Sequence, residues 1–365
     1  MVAMNTEAKS LLFILVTIIA IGLVVLYSAS YITAFKWPYP SFDYYLKRQT
    51  FAILVGLVAM LITSLIDYRV HRKYVLHYYM IVFALLVIAL AFPGKGGSRR
   101  WIDLGYFDLQ PSELTKLLII IFVAHYAEKQ KKYMKTFIKG FMIPVAFIGF
   151  LLFFVFIEPD LSTTIYLIFL FLIMLYIGGA RDIYILSMIG LGVLTLFIAY
   201  KFELLRDYQI ERIKNFVDIV TGNGKNVWHQ TSSSIHAIKN GGILGLGLGF
   251  GELKYYIPVQ FSDFVFAVLG EELGFVGISG LLVLYILMVR QMLKAAFESI
   301  KDDFGRMIIV GYAFMVLLQV TINISVVLGI LPITGLTLPF ISYGGSSILV
   351  FLAGYGLVLS TITHQ

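Results

Sequence analysis

Long apolar segments recur along the whole chain and constrain its fold more than any other feature. Hydrophobic residues make up 59% of the 365 residues and charged residues only 13%, whereas soluble domains carry about 25% charged residues. A helix needs about 20 apolar residues to cross the hydrocarbon core of a bilayer. The sequence therefore predicts an all-α, polytopic membrane protein of about ten transmembrane helices, organised as a single domain over residues 1–365. The candidate spans are residues 11–31, 50–66, 74–92, 114–127, 137–157, 161–177, 183–200, 264–289, 307–330 and 346–362.

The positive charges between these segments predict the orientation of the chain. With the N-terminus inside, the cytoplasmic segments hold fourteen Lys and Arg residues, and the short outer loops hold six. Lys and Arg concentrate in cytoplasmic loops, and long loops are left out of this comparison. We therefore expect both termini in the cytoplasm and residues 201–262 outside, as one large extracytoplasmic loop. The net charge of +7 then reflects topology, and we expect no nucleic-acid partner.

Several cofactor and catalytic chemistries lack the residues that they need. The chain has no cysteine, its six histidines are scattered without metal-ligand spacing, and no Gly-x-Ser-x-Gly elbow is present. Glycines alternate at 245, 247, 249 and 251, but without a preceding strand they favour a flexible loop over a nucleotide site. The sequence identifies no metal site and leaves the cofactor unknown, with a divalent cation as an open alternative.

Charged residues inside the spans are the strongest functional signal, because each costs about 2.5 to 3.5 kcal/mol to insert. Glu113 and Lys116 lie three residues apart at the start of the fourth span, so they share one helix face and are expected to pair. A structural salt bridge and a substrate contact are both consistent with this spacing.

Two aspartates stand at the ends of spans. Asp160 follows Glu158 and Pro159 in a tight turn, where it can cap the sixth span. Asp263 precedes the eighth span, and an N-cap role would explain it as well. Capping leaves Glu271 and Glu272 deeper in that span unexplained. They are flanked by Gly270 and Gly274, a spacing that permits close helix contact.

Residues 202–217 combine an apolar face with charged residues, which indicates an amphipathic helix at the membrane interface. Arg212 lies on this helix. Lipid contact for structural reasons alone is the alternative to a functional role.

Six short motifs, in order, resemble those of the shape, elongation, division and sporulation (SEDS) family. They extend from residue 27 to residue 347 and so cover nearly the whole chain. The motifs are residues 27–30 (YSAS), 98–102 (SRRWI), 110–116 (QPSELTK), 158–161 (EPDL), 262–266 (SDFVF) with 270–272 (GEE), and 339–347 (PFISYGGSS). Residues 44–49, 66–69 and 208–213 resemble the division and sporulation branch, FtsW and SpoVE, more than the elongation branch, RodA.

The resemblance implies a peptidoglycan glycosyltransferase that polymerises lipid II at the outer face of the bacterial cytoplasmic membrane. The family's essential aspartate matches Asp263, which is expected to be the general base. The resemblance also implies a class B penicillin-binding protein as partner, together with other division or elongation proteins. Expected substrate-binding residues are Arg100 and Arg212 for phosphate, Glu113, Lys116 and Asp160 to shape the cavity, and Ser346 in the last motif.

Three positions depart from the family pattern, and two other functions remain open. Tyr255 and Thr334 replace charged residues found in some members, and Val259 follows Pro258 where a glutamate is frequent. A lipid II flippase would also need many spans and buried charges, although no inverted repeat is evident. A scaffold that only recruits a transpeptidase would leave Asp263 unexplained.

Overall fold

A computed structural model shows a helical bundle. All ten predicted spans fall on helices, and eight helices in the described part of the chain are long and apolar enough to cross a membrane. The prediction of an all-α polytopic membrane protein is therefore confirmed. The structure describes residues 6–35, 41–92, 99–105, 108–158, 160–202, 210–212, 214, 217, 229–252, 255–256 and 260–364.

The described part of the chain contains eleven α-helices and one two-stranded hairpin. The hairpin joins β1 (Ile102–Asp103) to β2 (Asp108–Leu109) in antiparallel register. The helices are α1 (Thr6–Phe35), α2 (Tyr44–Leu65), α3 (His71–Ala91), α4 (Pro111–Lys129), α5 (Ile143–Ile157), α6 (Leu161–Ile177), α7 (Asp182–Lys201), α8 (His229–Gly241), α9 (Val265–Glu298), α10 (Asp303–Val327) and α11 (Gly345–Thr363).

Buried tyrosines join the helices at the centre of the bundle. Tyr166 of α6 donates to the carbonyl of Met315 at 2.9 Å, and Tyr312 of α10 donates to that of Phe351 at 2.6 Å. Hydrocarbon offers no hydrogen-bond partner, so each hydroxyl must find one inside the protein. These bonds fix α10 between α6 and α11. Helix α7, in contrast, contacts the bundle through α6 and leaves most of its side chains exposed.

Helix α9 is broken at Gly274, whose φ of 64° and ψ of −162° are not helical. Segment 241–247 pairs with both sides of the break. Its amides at 246 and 247 donate to the carbonyls of residues 271 and 272, and its carbonyls at 242 and 243 accept from the amides of residues 275 and 276. The break is tolerated because this segment supplies the partners that lipid lacks.

Residues 241–247 of the glycine-rich segment thus form a hydrogen-bonded turn, and a flexible loop further on, up to Gly251, stays a prediction. Gly245 has a φ of 82°, and a Cβ there would lie 2.2 Å from the carbonyl oxygen of Glu272. The close contact expected of Gly270 is present, because its Cβ would lie 2.9 Å from Ile238 of α8. Gly274 serves a different purpose, since it forms the break itself.

We predict that Gly274→Ala lowers the thermal unfolding midpoint of the purified protein. A Cβ there would lie 2.3 Å from the amide nitrogen of Gly245, and the positive φ adds about 1 to 3 kcal/mol of strain. Gly280→Ala in the same helix is the matched control, because nothing lies within 4 Å of its Cβ position. Equal midpoints for the two variants would contradict the role given to the break.

Candidate active site

Lys116 is a fully buried cation whose partners come from two helices. Its Nζ donates to Glu113 Oε1 at 2.7 Å and to Gln319 Oε1 at 2.8 Å. It also lies 4.9 Å from the centroid of the Tyr166 ring, where a cation is favoured. The expected pairing of Glu113 with Lys116 is confirmed, while a contact with substrate stays a prediction.

Two amides on α10 connect this network to the segment before α11 and to Asp263, and neither was identified from the sequence. Gln319 donates to the carbonyl of Thr337 at 2.8 Å. Asn323 donates to the carbonyls of Leu336 at 2.7 Å and Asp263 at 3.0 Å. The available signal was their spacing, because two amides four residues apart in an apolar span share one face and need polar partners.

Asp263 does not cap α9, so the alternative role that the sequence left open for it is not observed. Helix α9 begins at Val265, its N-cap is Phe264, and no side chain caps it. The Asp263 carboxylate accepts a hydrogen bond from Ser262 Oγ at 2.9 Å. Burial raises the pKa of Asp263, and the Ser262 bond with the charges of Arg100 and Arg212 opposes that rise. The aspartate is available for chemistry, because capping does not occupy it.

Arg100 and Asp160 form an ion pair with 2.7 Å between Nη1 and Oδ2. Gln110 Nε2 reaches the same oxygen at 3.3 Å, and Asp160 Oδ1 accepts from the amide of Thr163 at 3.0 Å. The predicted cap of α6 by Asp160 is therefore confirmed. The same carboxylate holds Arg100, so capping does not exhaust its role.

Ser346 joins the start of α11 to the start of α4. Its hydroxyl accepts from the amide of Gln110, the N-cap of α4, at 2.9 Å and donates to the carbonyl of Asp108 in β2. Because Gln110 also contacts Asp160, the N-terminal ends of α4, α6 and α11 converge on one spot. Helix N-termini carry partial positive charge and favour anions.

Arg212 belongs to a segment of which the structure describes residues 210–212, 214 and 217 only. The rest of the predicted interfacial helix lies outside the described residues. Arg212 is partly buried, and its charge acts on Asp263. It therefore lies on the same side of the molecule as the predicted base.

Glu271 and Glu272 are buried and hold neighbouring elements. Glu271 Oε1 accepts from the amide of Glu252 at 3.1 Å, and Glu272 Oε1 accepts from Ser28 Oγ of α1 at 2.6 Å. They tie the glycine-rich turn and α1 to α9. Their contacts explain why this span carries carboxylates that capping could not account for.

The predicted site residues thus form two connected groups. Asp263 lies within electrostatic reach of Arg100, Arg212 and Asp160. Glu113 and Lys116 do not join that cluster directly, and the polar contacts of Gln319 and Asn323 link them to it. A carboxylate can accept a proton from a hydroxyl, and the guanidinium groups within its electrostatic reach can bind an anion.

Comparison with known proteins identifies the family. The model of the FtsW, RodA and SpoVE family, described as cell cycle proteins, matches residues 9–365. The chain belongs to this family. The resemblance inferred from the motifs is therefore confirmed.

Individual relatives and solved structures match over nearly the full chain. "Probable peptidoglycan glycosyltransferase FtsW" of Trichlorobacter lovleyi is 35% identical and aligns over 96% of this chain and 91% of its own. "Stage V sporulation protein E" of Bacillus subtilis is 34% identical over 99% and 100%. A peptidoglycan synthase complex superposes with a TM-score of 0.77 at 27% identity over 99% and 98%. RodA of Thermus thermophilus gives 0.71 at 27% over 99% and 97%.

We predict that Glu113 and Lys116 behave as a coupled pair in a double-mutant cycle. Lys116→Met or Glu113→Gln alone should cost about 3 to 5 kcal/mol of unfolding free energy, because each breaks a buried pair. The double variant should lose much less than the sum. Denaturant titration in detergent measures the unfolding free energy of the wild type, the two single variants and the double variant.

The exposed pair Lys294 and Glu298, 3.8 Å apart on α9, provides a matched control cycle. Exposed pairs contribute about 0 to 1 kcal/mol, so coupling there should be small. Additive losses at Glu113 and Lys116 would show that the two residues act separately.

Proposed function

We propose that this chain is a peptidoglycan glycosyltransferase that polymerises lipid II into glycan strands. The activity predicted from the motifs agrees with the name of its FtsW relative and with the match to a peptidoglycan synthase complex. The observation that carries the proposal is the position of Asp263, a carboxylate that does not cap α9 and lies within electrostatic reach of Arg100 and Arg212. A base next to two cations suits a hydroxyl that attacks a carbon bearing a pyrophosphate.

In the proposed reaction, the 4-hydroxyl of one lipid II attacks the anomeric carbon of another. The hydroxyl proton passes to Asp263, and a new glycosidic bond forms. The bond between the anomeric carbon and the pyrophosphate oxygen breaks, so undecaprenyl pyrophosphate leaves with the electron pair. Asp263 must be ionised to accept the proton, and general-base catalysis of this kind contributes about a hundredfold to ten-thousandfold in rate.

Arg100 and Arg212 are the proposed contacts of the departing pyrophosphate. Guanidinium groups match phosphate oxygens with paired hydrogen bonds. The helix ends that meet near Gln110, Asp160 and Ser346 add partial positive charge at the same place. Glu113 and Lys116 support the cavity from within the bundle.

We further propose that the reaction takes place outside the bacterial cytoplasmic membrane, in a single membrane domain whose termini are cytoplasmic. The positive-inside charge distribution supports this orientation, with residues 201–262 outside. A class B penicillin-binding protein is the proposed partner, because a similar structure is described as coordinating polymerization and crosslinking in a synthase complex. Other division or elongation proteins would join them.

We predict that Asp263→Asn abolishes polymerisation of lipid II by the purified protein with its partner. The amide keeps the size of the side chain but cannot accept the proton, so the rate should fall about a hundredfold or more. Glu298→Gln, at the exposed far end of α9, is the control and should polymerise normally. Polymer formation by Asp263→Asn at the control rate would refute the assignment.

The pH dependence provides a second readout of the same base. Because burial raises the pKa of Asp263, the polymerisation rate should fall as pH decreases, and the midpoint of that fall should lie above the ordinary pKa range of aspartate. The loss follows protonation of the base. If the polymerisation rate stays constant down to the pH range in which aspartate ordinarily titrates, Asp263 is not a base with a raised pKa.

The proposed orientation predicts the reactivity of cysteines introduced into this cysteine-free chain. Asn223→Cys should react with a membrane-impermeant thiol reagent applied to intact cells from outside, and Lys131→Cys should not. Labelling at Lys131 instead of Asn223 would overturn the topology. Movement of lipid II across vesicles without polymer formation, even with the partner, would favour a flippase.

A further inference from the structure

Glu158 is a buried carboxyl group that the proposed mechanism leaves unused. It follows α5 as its C-cap and lies in the turn that leads to Asp160. The residue has no exposed surface, and neither side-chain oxygen has a hydrogen-bond partner among the described residues. A buried polar group without a partner is costly, so a partner gained in another state of the molecule would stabilise this side chain.

Several effects favour the neutral form of Glu158. Burial is the largest, and the negative charge of Asp160 adds to it, while Arg100 opposes both. The C-terminal end of α5, which carries partial negative charge, also disfavours an anion. The charged groups that act on Glu158 are Asp160 at the start of α6 and Arg100 before β1. Burial and the charge of Asp160 outweigh the effect of Arg100 and raise the pKa of Glu158 to about 9.

Asp160, the expected acceptor for a protonated Glu158, already accepts three hydrogen bonds in this structure. Asp160 Oδ1 accepts from the amide of Thr163, and Oδ2 accepts from Arg100 and Gln110. If a pyrophosphate draws Arg100 away, Asp160 becomes a buried anion without a cation. That state is unfavourable unless another donor replaces Arg100.

We propose that Glu158 is a positioning residue that works in its protonated form and donates to Asp160 when pyrophosphate binds Arg100. The two carboxyl groups then share one proton, as neighbouring acids do. Asp160 keeps its place at the start of α6, and Arg100 is released to the substrate. Ionised Glu158 would instead compete with the pyrophosphate for Arg100.

This inference rests on the proposed function, because it takes the pyrophosphate of lipid II as the ligand of Arg100. It predicts a kinetic effect on substrate binding rather than on the chemical step. Glu158→Leu, which has no donor, should raise the KM for lipid II about tenfold or more with little change in kcat, the order expected for one lost charged hydrogen bond. Glu158→Gln, whose neutral amide can donate, should restore KM toward the wild-type value.

The pH dependence of Glu158→Gln also distinguishes this positioning role from a purely structural one. The wild-type kcat/KM should fall as pH rises through about 9, because Glu158 loses its proton there. Glu158→Gln should lack that fall, and the control Glu128→Gln, at the Arg72 ion pair elsewhere, should keep it. An unchanged KM in Glu158→Leu, or the same alkaline fall in Glu158→Gln, would overturn the proposal.

Infrared difference spectroscopy of wild type against Glu158→Gln tests the protonation state without requiring activity. At neutral pH the wild type should show the carbonyl band of a protonated carboxyl group. Undecaprenyl pyrophosphate should shift this band as the hydroxyl gains an acceptor. Absence of the band, or a band that the pyrophosphate leaves unchanged, would contradict the inference. A wild type that shows the shifted band but makes no polymer would instead contradict the proposed function.

Discussion

The burial of Lys116 is the constraint on which the rest of the structure depends. An ammonium group without exposed surface needs a counter-ion and further acceptors, and Glu113 and Gln319 supply them. Gln319 then holds Thr337, and Asn323 one turn later holds the backbone of Asp263. One buried charge thus fixes the register of α4 against α10 and, through α10, the segment that carries the proposed base.

The fold was largely predictable from sequence, because lipid imposes one rule on every span. Apolar length alone located ten of the eleven described α-helices, all except the polar α8, and the spacing of Glu113 and Lys116 predicted their pair. The break at Gly274 was not predictable, because its hydrogen-bond partners lie some thirty residues away in the glycine-rich turn. Local patterns carry no information on such a pairing, and the alternating glycines therefore suggested only a flexible loop.

The sequence proposed candidate site residues but could not show how they are connected. Asp263, Arg100 and Asp160 were named from motifs, yet the sequence could not show whether the side chain of Asp263 caps α9, and in the structure it does not. The convergence of helix ends at Gln110 and Ser346 also depends on long-range contacts. This convergence bears on the choice of function. A transporter is expected to collect its polar groups at the bilayer midplane, whereas these gather where α4, α6 and α11 begin.

The binding position of the pyrophosphate relates the proposed base, the two arginines and the converging helix ends to one substrate. An experimental structure of the protein with undecaprenyl pyrophosphate bound tests this most directly. We expect the phosphate oxygens within hydrogen-bond distance of Arg100 and Arg212, with the adjoining sugar site facing Asp263. Pyrophosphate bound beside Glu271 and Glu272, or at the Arg72 end of the bundle, would contradict the account.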